Sequence, residues 1–162
     1  MHICEIPPSD APRSLLLLAD PSEDKLASYL PQSRCFIALP EDSDPEVLRN
    51  AASGQDALGA CAVQPLADGG YELMSIAVAP EHQRRGIGSQ LLQHVIGVFR
   101  YSGAPRLEVG TGSFGYQLAF YQRHGFRVTA IDRDFFVTHY PQPIFEDGIQ
   151  LRDMLRLTLE LP

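Results

Sequence analysis

No stretch of the 162-residue sequence approaches the run of about 18 apolar residues that a membrane helix needs; the longest candidate, Leu15 to Ala19, is far too short. The first 20 residues also lack the basic start and long apolar middle of a secretory signal, so the protein is expected in the cytoplasm. Cysteine is scarce. Cys4, Cys35 and Cys61 are widely separated, with no C-x-x-C pair and no Cys/His cluster of metal-ligand spacing. This argues against a disulfide framework and leads us to expect reduced, mostly buried thiols and no metal. Basic residues are the minority, 13 against 20 acidic, and the net charge of -7 disfavours nucleic acid while mildly favouring a cationic partner. Repeats, low-complexity tracts and linkers are missing too. A single domain over residues 1–162 is therefore expected, burying roughly 70% of the surface its unfolded chain exposes.

What is present is organised around Met74 to Ser89. Apolar, partly β-branched residues up to Val78 read as a buried strand, Pro80 to Gly88 as a basic glycine-bearing turn, and the residues after Gly88 as a helix. Gly86 and Gly88 remove side chains where a backbone must approach a ligand, and the free N–H groups of the helix's first turn point to the same place. Such a turn suits a phosphate, although a plain tight turn before a helix would look similar.

Elsewhere the pattern predicts strands over 2–6, 35–39, 57–66, 71–78, 106–110, 126–131 and 151–161. Two short helices are expected between Ser9 and Leu30, the first capped by Ser9 or Asp10, and a helical turn around Pro45 to Asn50. The helix after Gly88 buries Leu91, Leu92, Val95, Ile96 and Phe99, and Gly97 within it hints at close packing against a neighbour. Thr111-Gly112-Ser113 is expected to cap a helix from Phe114 to His124, which Gly125 ends. Residues 132–150 are rich in aromatics and prolines and have no clear period.

The third glycine and the downstream acid of a dinucleotide fingerprint are missing, and so is a Walker loop. Instead, Gln83-Arg84-Arg85-Gly86-Ile87-Gly88 matches Q/R-x-x-G-x-G/A and resembles the cofactor turn of the GNAT superfamily of acetyl-CoA-dependent N-acetyltransferases. Leu118-Ala119-Phe120-Tyr121-Gln122-Arg123-His124-Gly125-Phe126 resembles the superfamily's second signature. The resemblance implies an α/β (α+β) fold: a mixed, mostly antiparallel sheet of about seven strands, the fourth and fifth splayed apart, flanked by about four helices.

It also implies roles. Acetyl-CoA is the co-substrate, with its pyrophosphate on Gln83, Arg84, Arg85, Gly86, Ile87, Gly88 and Ser89, only one of the two arginines pointing inward. Its pantetheine arm lies along the main chain of Ile76, Ala77 and Val78, where the Val78 N–H is the expected donor to the thioester oxygen. Tyr121 stands at the general-acid position, and Glu72 is the best candidate for the base, with Glu108 as competitor. Ser113 occupies a loop position where many relatives carry asparagine, so its cofactor contact is a weaker inference. The acceptor is expected to be a primary amine of a small molecule or peptide, attacking directly while both substrates are bound, since no cysteine lies in either motif. Histidines 82 and 139 are further acid-base candidates. The aromatic segment Phe135 to Tyr140 is expected to shape the acceptor pocket or an oligomer contact such as a homodimer. The rival expectation is a silent acetyl-CoA sensor that binds without transfer.

Overall fold

The computed structural model describes residues 1–43 and 56–162; the expected helical turn around Pro45 to Asn50 lies outside the described residues. In chain order the elements are β1 (His2–Ile6), α1 (Arg13–Leu16), α2 (Glu23–Tyr29), β2 (Arg34–Leu39), β3 (Gly59–Pro65), β4 (Tyr71–Val78) and α3 (Ile87–Tyr101). There follow β5 (Arg106–Gly112), α4 (Tyr116–Arg123), β6 (Arg127–Asp132), α5 (Phe135–His139), β7 (Phe145–Glu146), β8 (Ile149–Gln150) and β9 (Met154–Glu160). Seven strands form one sheet in the order β1-β2-β3-β4-β5-β9-β6, and β7 pairs with β8 as a separate hairpin.

Only β4 and β5 run parallel; the other neighbours in the large sheet are antiparallel. Their pairing is short. It joins Tyr71 to Leu107, Glu72 to Glu108 and Leu73 to Val109, after which β4 continues to Val78 and β5 to Gly112 without partnering each other. The unpaired halves leave main-chain N–H and C=O groups free along a wedge, an edge that an extended ligand can complete.

The two sheet faces carry different helices. On one, α1 and α2 bury Leu15, Leu16, Leu26 and Tyr29 against Cys35, Ile37, Ala60, Ala62 and Ala77. On the other, α3 lays Leu91, Leu92, Val95, Ile96 and Phe99 against Phe36, Cys61, Val63, Leu73 and Leu107, with Tyr121 of α4 in the same cluster. Each buried aliphatic or Phe side chain contributes about 1.5–3 kcal/mol, so the helical stripe rather than local propensity holds α3 in place. Phe99 is wholly enclosed and meets the rings of Phe36 at 6.2 Å and Tyr71 at 4.3 Å.

Several local expectations are corrected. Ser9 and Asp10 belong to a separate 3-10 turn, and α1 starts at Arg13 with Pro12 as its N-cap residue and no side-chain cap. The side-chain cap falls on α2, where Ser22 Oγ accepts from the Lys25 N–H at 3.3 Å. Gly97 faces open space, with no atom within 4 Å of where a Cβ would stand, so close packing does not explain it. Thr111 and Gly112 extend β5, and α4 begins after Gly115 (φ +99°) with no side-chain cap from Ser113. The aperiodic 132–150 segment folds into α5 and the β7–β8 hairpin. The described residues hold five α-helices, two of them little more than a turn, in keeping with the expected number of about four.

Close approach is real at Gly59. A Cβ there would sit 3.0 Å from the Ala77 carbonyl oxygen and 3.5 Å from Ile87, between β4 and the start of α3. Gly59→Ala is expected to lower unfolding stability by about 1–3 kcal/mol through overpacking, read as a shifted urea midpoint at constant slope. An unshifted midpoint would contradict this account of the β3–α3 contact.

Candidate active site

Sequence dictates the geometry of the basic turn. Arg84 (φ +60°) and Gly86 (φ +78°) both adopt left-handed backbone, and α3 begins at Ile87. This alternation with the right-handed helix aims successive N–H groups into one concavity, a nest suited to an anion at a helix N-terminus. Gln83 Nε2 donates to the Val78 carbonyl at 3.2 Å, tying the turn to the end of β4. Gly88 lies at the same mouth: a Cβ there would make ordinary contact with Val78 at 3.4 Å and the Phe120 ring at 3.8 Å.

A cavity of about 830 Å³ opens at the wedge and is lined from both faces of the sheet. Of the residues singled out from the sequence, Glu72, Ile76, Ala77, Val78, Gln83, Arg84, Gly86, Ile87, Gly88, Ser89 and Tyr121 all line it. Arg84 lines both this cavity and a neighbouring surface hollow beside Pro80 and Glu81, whereas Arg85 lines only the hollow. Ser113 is exposed and outside the lining, because β5 runs on past the point where its loop was expected to begin. Thr111 and Gln117 line the cavity in that region instead.

Tyr121 is 7% exposed, with its ring edge-on to Phe120 at 5.3 Å and Phe126 at 5.8 Å. Burial, followed by the nearby Tyr116 and Cys61, pushes its phenol up, so the hydroxyl keeps its proton until a strong base forms beside it. His124, three residues on, lies 3.2 Å from Ser89 Oγ in the first turn of α3, and burial pushes its imidazole down toward the neutral form. Like His82 and His139, the histidines singled out from the sequence, it does not line the cavity.

Glu72 reaches the cavity through a register shift. Ala62 pairs with Ser75 but Val63 with Leu73, so Met74 has no partner and forms a β-bulge in β4. Glu72 is not alone there: Arg156 on β9 binds its carboxylate and also reaches Asp132 at 3.2 Å. Glu108 does not line the cavity; it pairs with Arg106 at 3.1 Å, which also holds Asp68. Neither do the cysteines. Cys61 and Cys35 are buried, desolvation pushes both thiols up, Cys35 to about 11, and Cys4 is partly covered. A protonated thiol walled off from the cavity is no nucleophile.

The far end of the cavity comes from elements that are remote in sequence. Leu18, Asp20, Lys25 and Tyr29 from the α1–α2 region meet Phe135, Phe136 and Tyr140 from α5 and its exit. Tyr140 donates its hydroxyl hydrogen to Asp20 Oδ1 at 3.1 Å, and burial, then the Asp20 charge, push its phenol up. Burial likewise pushes the Tyr29 phenol up to about 12.

Among the described residues no helix is long and apolar enough to cross a membrane. The model of the acetyltransferase (GNAT) domain family matches residues 32–128. The uncharacterized N-acetyltransferase YvbK of Bacillus subtilis (strain 168) is 40% identical over 148 residues, covering 91% of this chain and 87% of YvbK. An IAA acetyltransferase structure from Bacillus cereus ATCC 14579 superposes with a TM-score of 0.86 at 40% identity, covering 99% of each chain. A GNAT family acetyltransferase from Elizabethkingia anophelis, solved with acetyl-CoA bound, gives 0.83 at 36% identity over 98% of each chain. Likeness of this extent, in sequence and in backbone alike, makes the chain a member of the GNAT superfamily and an N-acetyltransferase.

Proposed function

We propose that the protein moves an acetyl group from acetyl-CoA to a primary amine of a small molecule or peptide by direct attack, with both substrates bound together. The observation that carries this reading is the single cavity reached from both faces of the sheet, with Tyr121 in its wall and the unpaired half of β4 along its middle. The nest before α3 and the Arg84 guanidinium offer N–H groups and a positive charge to a pyrophosphate, and the wedge admits an extended pantetheine arm. A volume near 830 Å³ is ample for both reacting ends.

In the reaction the amine nitrogen gives a proton toward Glu72, directly or through water, because an alkylammonium, with a pKa near 10.4, has no lone pair to attack with. The freed lone pair bonds to the thioester carbon while the Val78 N–H holds the oxygen as it gains negative charge. The carbon–sulfur bond then breaks, Tyr121 gives its proton to the departing thiolate, and the second proton that the nitrogen sheds as the amide forms returns through solvent to the phenol. Arg156 already occupies the Glu72 carboxylate, which favours the water-mediated route and keeps the carboxylate aimed at the cavity.

The test is coenzyme release against polyamines, aminoglycosides, amino acids and peptide N-termini, alongside calorimetric acetyl-CoA binding. Turnover of at least one amine is expected. Tight binding with no turnover on any amine would favour a sensor instead.

A further inference from the structure

The cavity's far end carries two charges of opposite sign that have no ion-pair partner among the described residues. Asp20 is only 8% exposed and accepts a hydrogen bond from Tyr140, yet no cation lies within ion-pairing distance of it among the described residues. Lys25, the chain's single lysine, likewise has no carboxylate partner among the described residues. Its ammonium rests 4.9 Å from the centre of the Tyr140 ring and 5.3 Å from that of Phe135. The two charges thus meet different parts of one tyrosine side chain without pairing with each other. Burying a carboxylate without a counter-charge is costly, and an ammonium held on aromatic faces recovers only part of what a carboxylate would provide.

Of the other charges that line the cavity, Glu72 and Arg156 satisfy each other, and Glu146 stands beside the start of α4, near Gly115. Two buried hydroxyls in the same wall, Tyr29 and Ser75, lie beside each other and near Asp20 without a well-formed hydrogen bond. A polar ligand at this wall would give them a partner.

Resting on the acetyl-transfer reading above, we propose that the acceptor is an amine that also carries a carboxylate, of the α-amino-acid kind, with its carboxylate on Lys25 and its ammonium drawn in by Asp20 before the nitrogen passes its proton toward Glu72. A plain alkylamine satisfies one of the two charges. A zwitterion satisfies both and leaves its side chain against Phe135, Phe136 and Tyr140. The Tyr140–Asp20 hydrogen bond holds the carboxylate in place for this.

The experiment uses matched triplets: phenylalanine, phenylalaninamide and phenethylamine, then the same three forms of leucine and of alanine. Coenzyme release gives kcat/KM, and calorimetry on the protein–CoA complex gives acceptor affinity without turnover. In at least one triplet the amino acid should lead both carboxylate-free forms by about tenfold or more, equivalent to roughly 1.4 kcal/mol. Lys25→Met keeps the aliphatic stem and should cost the amino acid about tenfold more than it costs its carboxylate-free partners. Asp20→Asn still accepts from Tyr140 and should weaken all three members. Equal use of the three forms by the wild type, a preference that survives Lys25→Met, or no binding of any member would each overturn the proposal. A binding preference for the amino acid without coenzyme release would support the proposal and overturn the transfer reading instead.

Discussion

Tyr121→Phe is expected to lower kcat by about a hundredfold or more, within the range by which positioned proton donors contribute, while acetyl-CoA affinity stays nearly unchanged. The substitution is unusually clean. Phenylalanine keeps the edge-on contacts with Phe120 and Phe126, and the lost hydroxyl leaves behind no buried partner that relied on it. Folding stability should therefore change by less than about 1 kcal/mol, and a loss of rate cannot be blamed on a loosened core. Because burial pushes the phenol up, the wild-type tyrosine is protonated across the neutral range, and the hydroxyl should impose no titration of its own on kcat there. Steady-state kcat, the melting temperature and calorimetric acetyl-CoA binding together check this; an unchanged kcat would remove Tyr121 from the acid role.

Gly86→Val is expected to weaken acetyl-CoA binding by about tenfold to a hundredfold, that is about 1.4–2.8 kcal/mol. Bulk within the free protein is not the cause, since the nearest atom to a Cβ at Gly86 is Gln90 Nε2 at 3.9 Å. The left-handed backbone is. An L-residue there costs about 1–2 kcal/mol, and a β-branched one relieves that strain by rotating the turn, which swings the N–H groups of α3 away from their common focus. Gly86→Asn separates conformation from bulk, because asparagine visits left-handed backbone more readily and should retain more affinity than valine. Calorimetry on the two variants reads the difference. Equal affinity in all three proteins would contradict the nest.

The parts of the fold that were legible in the sequence are those announced by local chemistry. Asp68-Gly69-Gly70 and Pro80 bracket β4, the apolar stripe from Leu91 to Phe99 declares α3, and Gly125 (φ +91°) ends α4 where a C-terminal glycine should. What stayed hidden depends on partners. The bulge at Met74 exists only relative to β3, and no pattern within β4 reveals it. The left-handed Arg84 is not a residue type that announces that conformation. The Glu72–Arg156 pair joins positions 84 apart, and the Tyr140–Asp20 bond joins positions 120 apart. The basic turn could be read because it is one contiguous loop; the opposite wall could be read only in its aromatic segment Phe135 to Tyr140, because residues from both ends of the chain build it. Gly97 shows the opposite error, a residue whose identity invited a packing explanation that its open surroundings do not support.

That division of the chain has an evolutionary meaning. The wall assigned to the acceptor is built by residues 18–29 and 135–140, whereas the turn, wedge and phenol assigned to the donor come from the uninterrupted middle, residues 72–121. Substitutions that retune amine choice can accumulate in the outer segments while the central block is inherited unaltered. One lineage can thus diversify its acceptors without rebuilding its handling of the thioester, and grafting outer segments between relatives would transplant preference without the chemistry.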